Sequence, residues 1–299
     1  MFIRIGCEIT VECAAPTPML LALQLHPSDT HRVIGSDRIG TAPETPVEDY
    51  VDLFGNRRTR LLARPGMTHL WSDCIVEDDG TPDAAHWQAH QHEIMDLPFD
   101  TLAYLPASRY CETDELVGTA WGLFGGTPPG WPRVQAIADH VHRTITFGYA
   151  FGRPTKTAID VQREGSGVCR DFSHLFIALC RAMNIPARYA SGYISSVGAM
   201  PDGPGDFCAW SEVFLDGRWY TFDARYNVPR IGRILMVRGR DAADAAMITA
   251  FGAYRLTWFK VWAERIADDV PERDFGAVLQ KRPDTPALVY PLSSARLPA

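Results

Sequence analysis

From Ile3 to Cys13 the alternate residues Ile3, Ile5, Cys7, Ile9, Val11 and Cys13 are apolar, with Arg4, Glu8, Thr10 and Glu12 between them. A period of two places all six on one face of a half-buried strand. Leu21, Leu23 and Leu25 repeat the alternation after the break at Pro16 and Pro18. Phe54-Gly55-Asn56-Arg57 reads as a turn between two further strands, and Met67 to Val76 supplies another. Residues 1–95 therefore predict an antiparallel β domain. The period then changes. After Trp131-Pro132, residues Val134, Ile137, Ala138, Val141 and Ile145 recur at helical spacing. After Cys169 the same spacing joins Phe172, Leu175, Phe176, Leu179, Cys180 and Met183 into one buried stripe, and Asn184-Ile185-Pro186 ends that helix. Strands follow at Ala187 to Ser195, Phe207 to Leu215 and Arg218 to Asp223.

These elements divide the chain into a β domain at 1–95, a connector at 96–130, a core at 131–270 and a C-terminal tail at 271–299. The connector is rich in Pro and Gly (LFGGTPPGWP), and the stretch 196–206, SVGAMPDGPGD, reads as a flexible loop leading into Cys208. The predicted class is α+β. A chain of 299 residues, 46% hydrophobic and 22% charged, buries a sizeable core. Its net charge of -7 argues against a non-specific grip on nucleic acid or on an anionic membrane. The first residues lack the pattern of a signal peptide and no segment has the length of a membrane span, so a cytoplasmic location is expected. Seven cysteines without a CxxC pair do not form a disulfide framework, and most read as buried thiols.

Cys169 begins a helix, where backbone N–H groups favour a thiolate. Gly165 and Gly167 just upstream permit close approach of backbone or substrate. Asp216-Gly217 is a two-residue hairpin signal and fixes a register. Leu215 pairs with Arg218, Phe214 faces Trp219, Glu212 faces Thr221 and Trp210 faces Asp223. Cys208 and Asp223 are then diagonal neighbours, with backbones roughly 7–8 Å apart.

The run GVCRDFSHLFIALCRAMNIPARYASGYI followed by DFCAWSEVFLDGRWYTFDAR resembles the bacterial transglutaminase-like superfamily, over about residues 100 to 260. The resemblance implies a papain-like core, with the nucleophile at a helix N-terminus packed on an antiparallel sheet. It assigns Cys169 as nucleophile and Asp223 as the orienting carboxylate. It also puts Cys208, ahead of Ala209 and Trp210, where the family usually has the catalytic histidine. Tyr226 likewise stands where the family often reads FDARHN. The expected activity is hydrolysis or acyl transfer on a peptide, amide or thioester, in a remodelled Cys169/Cys208/Asp223 site with Trp210 and Arg225 contacting substrate. The expected partner is a peptide, protein or small acyl substrate, with no cofactor.

Two alternatives stand beside this reading. Cys169, Cys208 and Asp223 together suit a zinc ion with an open water position, or the chain keeps the fold as a catalytically impaired binding module. A Cys169–Cys208 disulfide would need Cα atoms closer than about 7 Å. Among substitute bases, His174 points off the nucleophile's helix face, and His140 and His142 reach the site only through tertiary packing. His86 and His90 read as one face of a solvated connector helix. Arg225, Arg230, Arg233, Arg238 and Arg240 either hold a substrate carboxylate or pair with acids such as Asp241 and Asp244.

Overall fold

The structure is a computed structural model that describes residues 1–195, 197, 207–281 and 283. The expected flexible loop at 196–206 therefore lies, Val197 apart, outside the described residues, as does the tail from 284.

The N-terminal alternation forms β1 (Phe2–Cys13), and its six odd-numbered apolar side chains are all buried. Next come β2 (Thr17–Leu21), β3 (Val33–Ile34), β4 (Gly40–Ala42), β5 (Val47–Val51), β6 (Arg57–Ala63) and β7 (Gly66–Glu77). The alternation at Leu21, Leu23 and Leu25 is buried throughout, yet the strand stops at Leu21. Beyond it the Ala22 N–H donates to Met247 O at 2.9 Å and the Leu25 N–H to Asp37 Oδ2 at 2.7 Å, so the backbone is satisfied without a ladder.

The helical part opens with α1 (Thr113–Phe124), inside the segment expected as connector, and α2 (Trp131–Thr144). Then follow β8 (Thr146–Phe147), α3 (Ala158–Glu164), β9 (Ser166–Gly167) and α4 (Cys169–Ala182). The antiparallel strands β10 (Ala187–Ile194), β11 (Cys208–Leu215), β12 (Arg218–Phe222) and β13 (Arg233–Gly239) form one sheet in the order β12-β11-β10-β13. Its Tyr189, Ala209 and Val213 join α4 in the main apolar cluster, while Ala190, Trp210 and Leu235 form a small cluster of their own.

The chain ends with β14 (Ile248–Ala250), β15 (Tyr254–Arg265) and α5 (Phe275–Gln280). Both strands fall within residues 131–270, and β14 pairs with β2 while β15 pairs with β1 from Arg265 opposite Ile3 to Tyr254 opposite Cys13. They complete the two sheets β15-β1-β7-β3, with β4 also on β7, and β14-β2-β6-β5. One apolar cluster runs from Ile3 and Cys7 to Leu175 and Phe176, so the N-terminal sheets and the helical core share their interior. Among the described residues no helix is long and apolar enough to cross a membrane.

The segment carrying His86 and His90 is not helical. Its side chains instead wrap the β11–β12 turn. His90 Nδ1 meets Asp216 Oδ1 at 2.6 Å, the His86 ring meets the Tyr220 hydroxyl at 3.0 Å, and the Gly217 N–H donates to His92 Nε2 at 2.9 Å.

Candidate active site

Helix α4 starts at Cys169 because Val168 has extended backbone angles and Asp171, fully buried, accepts the Val168 N–H at 3.0 Å. Gly167 is needed for this cap, since a Cβ there would lie 2.6 Å from the Asp171 Cβ. The first-turn N–H groups and the helix dipole favour an anion at Cys169. Cys169 and Cys208 are half-buried, whereas Cys7, Cys13, Cys74, Cys111 and Cys180 are buried. Burial pushes the thiols of Cys7 and Cys111 up to about 12 and those of Cys74 and Cys180 higher still. The phenol of Tyr189 on β10 is raised first by burial and then by the negative charge a Cys169 thiolate carries.

The hairpin register agrees with the sequence argument as far as the ladder extends, with Leu215 opposite Arg218, Phe214 opposite Trp219 and Glu212 opposite Thr221. Asp216 and Gly217 both have positive φ, as the tight turn requires. The ladder ends at Ser211 opposite Phe222, one residue short of Asp223. At the start of β11, Cys208 pairs with Gly192 and its carbonyl accepts the Ser191 hydroxyl at 2.8 Å.

Asp223 is buried and bound on both oxygens. Oδ1 accepts the Arg225 and Tyr226 N–H groups at 3.1 and 3.2 Å, and Oδ2 accepts Arg233 Nη2 at 2.9 Å. The Arg233 Nε also binds Asp83, at 2.8 Å to Oδ2, and the guanidinium lies 5.2 Å from the Trp210 ring centroid. Burial disfavours the Arg233 charge, but Asp223 and Asp83 outweigh burial and raise its pKa. Asp83 comes from the irregular chain after β7 and no local sequence pattern links it to Asp223, so this ion network was not legible in advance.

Trp210, expected to line the pocket, is only 2% exposed and backs Arg233 within the small cluster with Ala190 and Leu235. The zinc alternative is also not what the fold assembles. Among the described residues no group of three His, Cys, Asp or Glu side chains is placed to hold a metal ion, and the Asp223 oxygens are already engaged by Arg233 and two amides.

The three histidines weighed as substitute bases are each held by other contacts. His174 is fully buried, stacked 5.1 Å from the Tyr110 ring, and accepts the Ala242 N–H on Nε2 at 3.1 Å. Burial and then Arg170 and Arg181 hold its pKa well below the usual value, so it is a neutral core residue. His140 packs edge-on against Phe124, and burial lowers its pKa. His142 is bound through Nδ1 to the Arg225 carbonyl at 2.9 Å.

The basic stretch after Asp223 splits into two groups. Arg233 pairs with Asp83 and Asp223, Arg238 with Glu212, and Arg240 with Asp244. Arg225 and Arg230 instead flank the Tyr226 ring, each with its Cζ 4.5 Å from the ring centroid. Burial raises the Tyr226 phenol, and Cys208 is among the charges that act on it.

Residues 120–224 match the model of the Transglutaminase-like superfamily. That stretch, spanning Cys169, Cys208 and Asp223 at the positions described, belongs to this superfamily. The crystal structure of a candidate cysteine protease from Cytophaga hutchinsonii is similar with a TM-score of 0.78 and 29% identity, covering 91% of this chain and 92% of that one. An uncharacterized protein of Mycobacterium leprae is 25% identical over 230 residues, 73% of this chain and 81% of the relative. An uncharacterized protein of Mycobacterium bovis is 34% identical over 131 residues, 39% of this chain and 41% of the relative. The fold is therefore that of a cysteine enzyme, built on a transglutaminase-like core.

Proposed function

We infer that the protein is a cysteine-dependent acyl-transfer enzyme whose nucleophile is Cys169 and whose site works without the usual imidazole. The observation that carries this reading is a half-exposed thiol at the first position of α4, in a chain whose other thiols, Cys208 apart, are buried. The Cys169 sulfur attacks the acyl carbonyl, an S–C bond forms, and the bond to the leaving group breaks. The thiol proton departs with the leaving group or passes to solvent. Water or an amine then attacks the thioester, its proton returns to the sulfur, and the product is an acid or an amide. No cofactor is required.

A thiol at 208 lacks the two opposed ring nitrogens with which an imidazole bridges a nucleophile and a carboxylate. The loss of a positioned acid-base group costs on the order of 10²–10⁴ in rate. Good leaving groups suffer least, so thioesters and activated esters of a peptide or small acyl compound are the favoured substrates, ahead of plain amides. The relative from Cytophaga hutchinsonii, described as a candidate cysteine protease, supports the reaction class. The Asp223–Arg233 pairing also suits the second reading, a binding module that retains the fold.

The test is brief exposure to p-nitrophenyl acetate followed by mass spectrometry of the intact protein and its peptides. An acetyl group on Cys169, lost in Cys169→Ala, supports the enzyme. Acetylation confined to lysines, with p-nitrophenol release unchanged in Cys169→Ala, favours the binding module.

A further inference from the structure

We propose that Arg225, Tyr226 and Arg230 form an anion subsite that receives a carboxylate of the substrate beside Cys169. This deepens the acyl-transfer reading and rests on it.

The Arg225 guanidinium lies between two rings, 3.4 Å from the Phe147 centroid and 4.5 Å from that of Tyr226, while Arg230 covers Tyr226 at the same 4.5 Å. Stacking fixes a planar guanidinium by its faces and leaves its N–H edge to meet an oxygen pair. Two cations on one phenol repel each other, and neither has an ion pair among the described residues. Arg225 makes no side-chain hydrogen bond among them, and Arg230 reaches only the Ser195 carbonyl, at 3.4 Å.

Their neighbours differ. Arg233, Arg238 and Arg240 each have a carboxylate within 3 Å. Arg230 is only 8% exposed, and a cation that far from water is costly without a counter-charge. Among the described residues, neither Asp83 nor Asp223 supplies one. Asp83 accepts the Arg230 backbone N–H but directs its charge to Arg233, and Asp223 is neutralised by the same guanidinium.

The position suits a substrate group. Phe147 pairs with Gly167, two residues before the nucleophile, and its ring is 6.4 Å from that of Phe172 on the first turns of α4. On the other side the Tyr226 N–H is held by Asp223. The Arg225 guanidinium thus stands between the start of α4 and the Asp223 loop, and Arg230 joins it across the Tyr226 ring. A ligand reaching both the nucleophile and this pair would be an acyl compound with a free carboxylate near the reacting carbonyl, such as an acidic side chain or the C-terminus of a peptide.

The test compares alkylation of Cys169 by iodoacetate and iodoacetamide, reagents of similar size and the same leaving group that differ in charge. Relative to a free cysteine peptide, the iodoacetate to iodoacetamide rate ratio should rise on the order of tenfold at low salt, the scale of one charge pair several Å apart in a partly solvated cleft. Arg225→Gln and Arg230→Gln should each reduce that ratio by about threefold or more, and Arg225→Lys should preserve part of it. A ratio equal to the peptide's, or one unchanged by both glutamine variants, overturns the proposal. If neither reagent modifies Cys169, the acyl-transfer reading fails separately. The subsite is then judged on the unmodified protein by phenylglyoxal labelling. Protection of Arg225 and Arg230 by succinate sustains it, and equal labelling with and without succinate overturns it.

Discussion

Replacing Arg233 by Met leaves the volume of the side chain nearly intact but strands two carboxylates. The Asp223 and Asp83 side chains are 3% and 12% exposed and Arg233 itself 8%, so little solvent screening softens the loss. Removing one partner of a buried pair typically costs about 3–5 kcal/mol, most of it from the uncompensated charge left behind. The stacking on Trp210 adds about 0.5–1 kcal/mol. Urea unfolding at pH 7 should therefore show Arg233→Met destabilised by about 3–5 kcal/mol, with a lower midpoint and an unchanged slope. Asp223→Asn combined with Arg233→Met should be less unstable than the sum of the single variants. A loss under about 1 kcal/mol at pH 7, the scale of an exposed surface pair, would refute the assignment of Arg233 as the counter-charge of Asp223.

Limited iodoacetamide at neutral pH should modify Cys169 and Cys208 and spare Cys7, Cys74, Cys111 and Cys180, whose burial keeps them protonated. Peptide mapping reads this, and early labelling of Cys180 would contradict it. His174 is held neutral in the folded state, so the unfolded chain binds its proton first as pH falls through about 6.5 and stability drops below that point. His26, lowered to about 4 chiefly by burial, acts in the same direction. Urea unfolding should show the cost of His174→Gln smaller at pH 5 than at pH 7 by about 1–2 kcal/mol. An equal cost at both pH values would mean that His174 takes up its proton as readily in the fold as in the unfolded chain.

Much of this architecture was readable from local periodicity. The alternation of Ile3 to Cys13 gave β1, the three- and four-residue spacing from Phe172 to Met183 gave α4, and Asp216-Gly217 set the β11–β12 register. Long-range pairing was not readable. Tyr254 to Arg265 complete the sheet begun at Phe2, and alternation alone does not name a partner strand. His86 and His90 have helical spacing, yet their contacts with Tyr220 and Asp216 around the hairpin turn govern that segment. At the candidate site, the motif order nominated Cys169, Cys208 and Asp223. The clamp of Arg233 on Asp83 and Asp223 arises from tertiary packing, as does the burial of Trp210 behind it.

The most direct test of a nucleophile working beside a thiol, and not beside an imidazole, is the pH dependence of Cys169 alkylation by iodoacetamide in the native protein and in Cys208→His. An imidazolium at 208 would stabilise the Cys169 thiolate, so the variant's reactivity should extend to lower pH, with acyl turnover rising by on the order of 10². The native protein should instead show a single thiol titration that stays at higher pH. Superimposable profiles for the two proteins, with both folded, would contradict the account.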